Sequence, residues 1–351
     1  MQLEKIIKQI NPLDEVAMQS ARVRQYTFTK PRGSLGRLED LSIQLAGITA
    51  CSLPSLERKT VIVMAADHGV TSEGVSAYPA EVTPQMVANF LRGGAAINVL
   101  ARQANARVVV VDIGVATEID DSSGNLIRRR VGAGTANLAK GPAMTREQAA
   151  ESIQSGIEIA EAEIRRGIDI LATGDMGIGN TTASAAIACV LMNHSAENVA
   201  GSGTGLDDDG LKRKIDVITR GLDVNKPNAN DALDVLAKVG GFEIGGLTGV
   251  MLAAAANRKP VVVDGFISTA AAMIAFKLAP AARDYMIAAH VSQERGHRLM
   301  LDWLGLNPLL DMNMRLGEGT GAALAFHLIE ASTRILREMA TFNEAGVSDK
   351  E

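Results

Sequence analysis

Residues 60–67 read TVIVMAAD and run into His68 and Gly69. A short apolar run rich in β-branched side chains and closed by an acid and a glycine has the pattern of a strand buried on both faces that feeds a loop. The pattern returns at ARVVVVDIG (106–114), IDILATGD (168–175), PVVVDGF (260–266) and YMIAAHV (285–291). Helix-length segments separate these runs. The clearest lies between residues 146 and 167, where Ala149, Ile153, Ile157, Ala160 and Ile164 recur at helical spacing. Thr145 is its candidate N-cap, and Arg165, Arg166 and Gly167 close it. Alternation of strand and helix from residue 60 to residue 291 predicts an α/β fold: a doubly wound, mostly parallel sheet with helices on both faces, three layers in all. Such sheets bind ligands at the carboxyl ends of their strands. Here those ends carry Asp67, Asp112, Asp175 and Asp264, each beside or near a glycine.

Outside this block both chain ends read as helix. Ile6, Ile10, Leu13, Val16 and Ala17 recur at roughly helical spacing, residues 35–48 do so again, and the stretch from Gly319 to about Thr341 repeats the pattern with Leu324, Ile329, Ile335 and Leu336. The last segment is expected to pack on the N-terminal helices.

The 351 residues include 34 glycines, and 18 of them fall in the stretches 132–141, 174–179, 201–210, 240–249 and 317–321. Clustering of this kind points to tight loops where backbone approaches a ligand or other backbone, not to a linker. A net charge of −5 without a long basic run gives nucleic acid no footprint. Cys51 and Cys189 are isolated, with no C-x-x-C spacing or His companions, so they read as reduced thiols and not as a disulfide or zinc framework. The first fifteen residues carry charges throughout and lack an apolar signal core. A cytoplasmic protein without export signal or membrane anchor is expected.

Two glycine stretches suggest an anion. GDMGIGNTTASAAI (174–187) takes a strand end through a glycine-punctuated loop into an apolar helix opened by Asn180, Thr181 and Thr182. Free N–H groups and hydroxyls at a helix start suit a phosphate, against the plainer reading of an ordinary capped turn. GSGTGLDDDGLKRK (201–214) adds Lys212, Arg213 and Lys214. No G-x-x-x-x-G-K-[ST] phosphate loop, H-E-x-x-H or G-x-S-x-G motif occurs, so neither a metal nor an acyl-enzyme mechanism is favoured. Gly317, Gly319 and Ala322 fit G-x-G-x-x-A, which with the doubly wound pattern leaves a dinucleotide-dependent oxidoreductase as one reading; a catalytically silent nucleotide-binding protein on the same scaffold is another. In LGEGTGAALA (316–325), Glu318 stands between two glycines before an apolar helix. That setting fits a general base open to a ligand, or simply a helix-start acid. The helix dipole would lower its pKa and burial would raise it.

Eight segments in order, KPRGSLGRLE (30–39), AADHGV (65–70), YPAEVTPQMV (78–87), GDMGIGNTT (174–182), KVGGFEIGGLTGVML (238–252), VVVDGF (261–266), HVSQERG (290–296) and RLGEGTGAAL (315–324), resemble the nicotinate-nucleotide:5,6-dimethylbenzimidazole phosphoribosyltransferase family of cobalamin nucleotide-loop assembly. The resemblance spans nearly the whole chain. It implies transfer of the 5-phosphoribosyl group of nicotinate mononucleotide to a benzimidazole, with small-molecule substrates and no metal or other cofactor. It assigns the general base to Glu318 and an auxiliary acid to Asp175, where the family usually carries Glu. It implies nucleotide and phosphate contacts from Gly177, Gly179, Asn180, Thr181, Thr182, Gly203, Lys214, Ser292 and Arg315, and a base pocket from Tyr78, Gln85, Met86 and Leu316. It further implies a homodimer of two-domain subunits: a large α/β catalytic domain, residues 56–291, and a small helical domain, residues 1–55 plus 292–351.

Overall fold

The computed structural model describes residues 2–121 and 124–348, so residues 1 and 349–351 of the expected helical segments lie outside it. Among the described residues the strands are β1 Lys59–Ala66, β2 Ala106–Gly114, β3 Leu126–Arg128, β4 Ile170–Met176, β5 Val261–Val263 and β6 Met286–Ala288. They form one sheet in the order β3-β2-β1-β4-β5-β6, and every pairing is parallel. The chain winds outward from β1 to β3, returns to β4, and winds outward the other way. The order therefore reverses between β1 and β4, and a crevice opens at their carboxyl ends. All five expected strands are present. The edge strand β3 escaped the sequence reading because three paired residues give no recognisable apolar run.

The helices are α1 Gln2–Gln9, α2 Glu15–Thr27, α3 Arg37–Thr49, α4 Val82–Leu91, α5 Ala96–Gln103, α6 Arg146–Arg165, α7 Asn180–Met192, α8 Ala196–Val199, α9 Asp208–Asn225, α10 Ala232–Val239, α11 Phe242–Ala256, α12 Phe266–Leu278, α13 His297–Leu304, α14 Thr320–Glu338 and α15 Phe342–Ala345. Strand residues alternate between the two faces. Ile62, Met64, Val109 and Val111 join the core under α6, α7, α11 and α12. Val61, Val63, Val110 and Ala172 join the core under α3, α4, α5 and α14. The result is the expected three-layer sandwich.

Helix α6 begins at Thr145 as expected: its hydroxyl accepts from Gln148 N at 3.2 Å, and Thr145 N donates to Gln148 Oε1 at 3.0 Å. Its broad face meets α11 through glycines. A β-carbon on Gly156 would lie 2.7 Å from the Gly246 carbonyl carbon, and one on Gly249 would lie 2.8 Å from Ile157 N. The glycine cluster at 240–249 is thus what lets two helix backbones touch.

At the chain ends, α2, α3 and α14 close around Ala17, Ala21, Phe28, Ala46 and Leu336. Arg24 Nε donates to the Leu336 carbonyl at 2.8 Å, and Phe28 bridges to Thr341. We propose this cluster as the small helical unit. Two helices placed in that unit by residue range pack elsewhere. Leu3 and Ile6 of α1, with Met300 and Leu304 of α13, belong to the sheet-side core, because the nearest apolar surface for these amphipathic helices is that of α11 and α12. Among the described residues no helix is long and apolar enough to cross a membrane.

Candidate active site

The four strand-end carboxylates divide into two kinds. Asp112 accepts from the backbone N–H groups of Gly114 and Val115 at 3.1 and 2.8 Å, and Asp67 accepts from Ala116 N at 2.8 Å. Asp264 accepts from Gly319 N and Ala322 N at 3.1 and 2.8 Å. These three hold loops in place. Asp175 instead takes a bond from the Asn180 amide at 3.0 Å and lines a cavity of about 460 Å³; its Oδ1, like that of Asp67, is unpartnered among the described residues. Burial, reinforced by Asp264, Glu243 and Glu318 nearby, pushes its carboxyl well above the usual range despite the Asn180 donation.

Beyond Asp175 the chain makes a tight turn into α7. Gly177 passes so close to β1 that a β-carbon would lie 2.5 Å from the Ala66 carbonyl oxygen, and Gly179 takes φ +94° as the N-cap of α7. Ile178 N donates to Thr83 Oγ1 at 3.1 Å, tying the turn to α4. Beneath it lies a buried pair, His68 Nε2 at 2.7 Å from Glu243 Oε1. Lys214 is fully buried one layer behind the cavity wall, donating to Thr181 Oγ1 at 2.9 Å and to the Gly201 carbonyl at 3.1 Å. Burial brings its ammonium down to about 8, partly offset by Glu294.

Glu318 sits at φ +63° between Gly317 at +82° and Gly319 at +92°, three successive left-handed residues ahead of α14. A non-glycine residue held there is strained, and such strain clusters at functional sites. The turn rests on β4, where a β-carbon on Gly174 would collide with the Glu318 main chain. The Glu318 carboxylate is 5 % exposed and accepts from Ile97 N, at the start of α5, at 3.3 Å. Burial wins over that N–H and, with Asp264 adding to it, raises the carboxyl above its ordinary value.

Of the expected residues, Asp175, Gly177, Asn180, Thr181, Gly203, Tyr78, Ser292, Arg315 and Leu316 line the cavity. Arg315 donates to the Gly203 carbonyl at 2.8 Å. Gly179, Thr182 and Lys214 stand behind the wall, and Glu318 adjoins it through Gly317, where a β-carbon would lie 3.3 Å from Asp175 Oδ2. Gln85 and Met86 are not brought to the cavity. On α4 it is Thr83, Val87 and Phe90 that face inward, so Gln85 turns to solvent and Met86 packs against the second core.

Sequence reasoning missed Phe266 and Ile267, which open α12 just past β5, and also His290 and Glu294. His290 Nε2 and Glu294 Oε2 are buried without a hydrogen-bond partner among the described residues. All four lie in or just after strand-end segments, but no local spacing marks them. The Gly317, Gly319, Ala322 match does open a helix, yet residues 311–317 are irregular and no strand runs into it, which removes the dinucleotide fingerprint.

A family model described as a phosphoribosyltransferase matches residues 10–347. The nicotinate-nucleotide–dimethylbenzimidazole phosphoribosyltransferase of Desulforudis audaxviator is 60% identical over 346 residues, covering 99% of this chain and 98% of its own. That of Chloroflexus aurantiacus is 59% identical over 348 residues, with 99% of each chain covered. A crystal structure of nicotinate-nucleotide-dimethylbenzimidazole phosphoribosyltransferase from Thermus thermophilus superimposes with a TM-score of 0.91 at 48% identity, covering 96% of this chain and 100% of that one.

Proposed function

The chain belongs to the nicotinate-nucleotide–dimethylbenzimidazole phosphoribosyltransferase family, and on that premise we propose that it moves the 5-phosphoribosyl group of nicotinate mononucleotide to 5,6-dimethylbenzimidazole or a related base. The products are nicotinate and α-ribazole 5′-phosphate.

In this reading the phosphate lies on the Gly177–Thr181 turn, where the start of α7 offers N–H groups and the Lys214 ammonium sits behind Thr181. Phe266, Ile267, Ser292 and Arg315 flank the nucleotide, and Tyr78 and Leu316 at the cavity mouth face the incoming base. One imidazole nitrogen attacks C1′ as the bond to nicotinate breaks, and attack opposite the leaving group inverts the β-nucleotide to the α product. The proton on the other imidazole nitrogen passes to Glu318. Burial raises that carboxyl's pKa above that of a surface glutamate, which makes it a stronger proton acceptor and suits it to act as a base. Asp175 is the auxiliary acid: a cation nearby lowers a carboxyl's pKa, so an arriving pyridinium nucleotide draws it toward its carboxylate form, and its charge then favours the electron-poor ribosyl centre.

The observation that supports this reading most is the strained Gly317–Glu318–Gly319 turn beside Asp175. The test is release of nicotinate from nicotinate mononucleotide, measured with and without dimethylbenzimidazole. Glu318→Gln is expected to keep nucleotide binding and lose about 100-fold or more in turnover, the range of a positioned base; an unchanged rate removes Glu318 from the role. We also propose a cytoplasmic homodimer, for which light scattering at the mass of two chains is the check.

A further inference from the structure

We propose that Asp264 and His290 are positioning residues that fix the Glu318 turn; the proposal rests on the reading of Glu318 as the base. Asp264 extends β5, is 1 % exposed, and spends both carboxylate oxygens on the segment that follows Glu318: Oδ2 on Gly319 N at 3.1 Å and Oδ1 on Ala322 N at 2.8 Å. Three left-handed residues in a row do not hold their own shape, so an external anchor is required, and a carboxylate on backbone N–H groups at a helix start is a strong one. The anchor stands at the end of β5, which pairs with β4 and β6 in the sheet.

His290 ends up against this carboxylate from the neighbouring strand end. Its Nδ1 lies 3.0 Å from the Val291 carbonyl and donates there, and its Nε2, unpartnered by any hydrogen bond among the described residues, lies 4.0 Å from Asp264 Oδ1. The ring also passes over Gly321, where a β-carbon would lie 2.8 Å from Nε2, so only glycine at the second position of α14 admits it. His290 lines the substrate cavity as well. The two side chains therefore link the cavity wall to the turn that carries the base.

The test is a double-mutant cycle. Asp264→Asn keeps the shape but turns one acceptor into an N–H donor facing another N–H. It is expected to lower kcat about 30-fold or more, with KM for nicotinate mononucleotide within about threefold of the parent. His290→Gln, the milder variant, is expected to lose about fivefold. Made in the Glu318→Gln background, neither change should lower the residual rate more than about twofold, because the group being positioned is already gone. Losses that multiply in that background would overturn the proposal, since a general structural defect acts on both enzymes alike. If Asp264→Asn does not fold, His290→Gln carries the same cycle. The single Glu318→Gln rate judges the base itself, so failure of that reading is told apart from failure of this one.

Discussion

Gly174→Ala tests the argument that the position of Glu318, and not only its presence, sets the rate. Gly174 lies in β4, and a β-carbon there would stand 2.7 Å from the Glu318 carbonyl carbon and 3.0 Å from Gly319 N, where ordinary contact begins at 3.4 Å. Relief requires 3.4 − 2.7 = 0.7 Å of movement at the carbon, and more at the still closer carbonyl oxygen. The strand yields little, because Gly174 is paired with Val63 of β1 and β4 is paired with β5 at the two residues Leu171 and Ala172 just before it. The Glu318 turn must yield by roughly 1 Å, and misplacement of a catalytic group by that distance costs about 100-fold in rate. Overpacking adds about 1–3 kcal/mol of destabilisation. The assay is steady-state nicotinate release, with thermal unfolding in the presence and absence of nicotinate mononucleotide to show that the cavity survives. Gly141→Ala, where a β-carbon meets nothing within 4 Å, is the control and should match the parent. A folded Gly174→Ala protein with kcat within threefold of the parent would refute the reasoning.

Lys214 should couple phosphate binding to pH. Its ammonium is present below about 8 and is lost as pH rises through that value, so kcat/KM for the nucleotide should fall above pH 8, and Lys214→Met should remove that limb while raising KM by about tenfold or more; a limb that survives in the variant would assign it to another group. The same shift has the opposite effect on folding, since an unfolded lysine keeps its proton to about 10.5 while the folded one releases it near 8, so this residue's share of stability rises with pH between those values. Gly156→Ala should separate packing from chemistry: its methyl meets the Gly246 backbone across the α6–α11 contact, costing about 1–3 kcal/mol, and a chemical-denaturation midpoint should drop while kcat at 25 °C stays within twofold. An unchanged midpoint would mean that the two backbones are not in contact.

The sequence by itself determined the sheet. Runs such as TVIVMAAD and ARVVVVDIG, short, β-branched and closed by an acid and a glycine, have the pattern of buried strands, and the helix-length segments between them point to parallel connections. It also marked the Gly177–Thr182 turn and Glu318, because glycines and the residues they bracket are local signals. Gln85 and Met86, implied as base contacts by the family resemblance, do not line the cavity, since a residue's position in a segment does not say which way α4 turns it. What only the tertiary structure decided is the fate of the charged groups. Asp67, Asp112, Asp175 and Asp264 look alike as strand-end acids, yet Asp112, Asp264 and one oxygen of Asp67 are taken up by backbone N–H groups, and of the four only Asp175 lines the 460 Å³ cavity. Asp264 finds Gly319 and Ala322 more than fifty residues away, and Glu318 finds Ile97 at a separation of 221 residues. Hydrogen-bond partners at such separations leave no period in the sequence. The balance of burial against donation that raises Glu318 and Asp175 exists only once those partners have met.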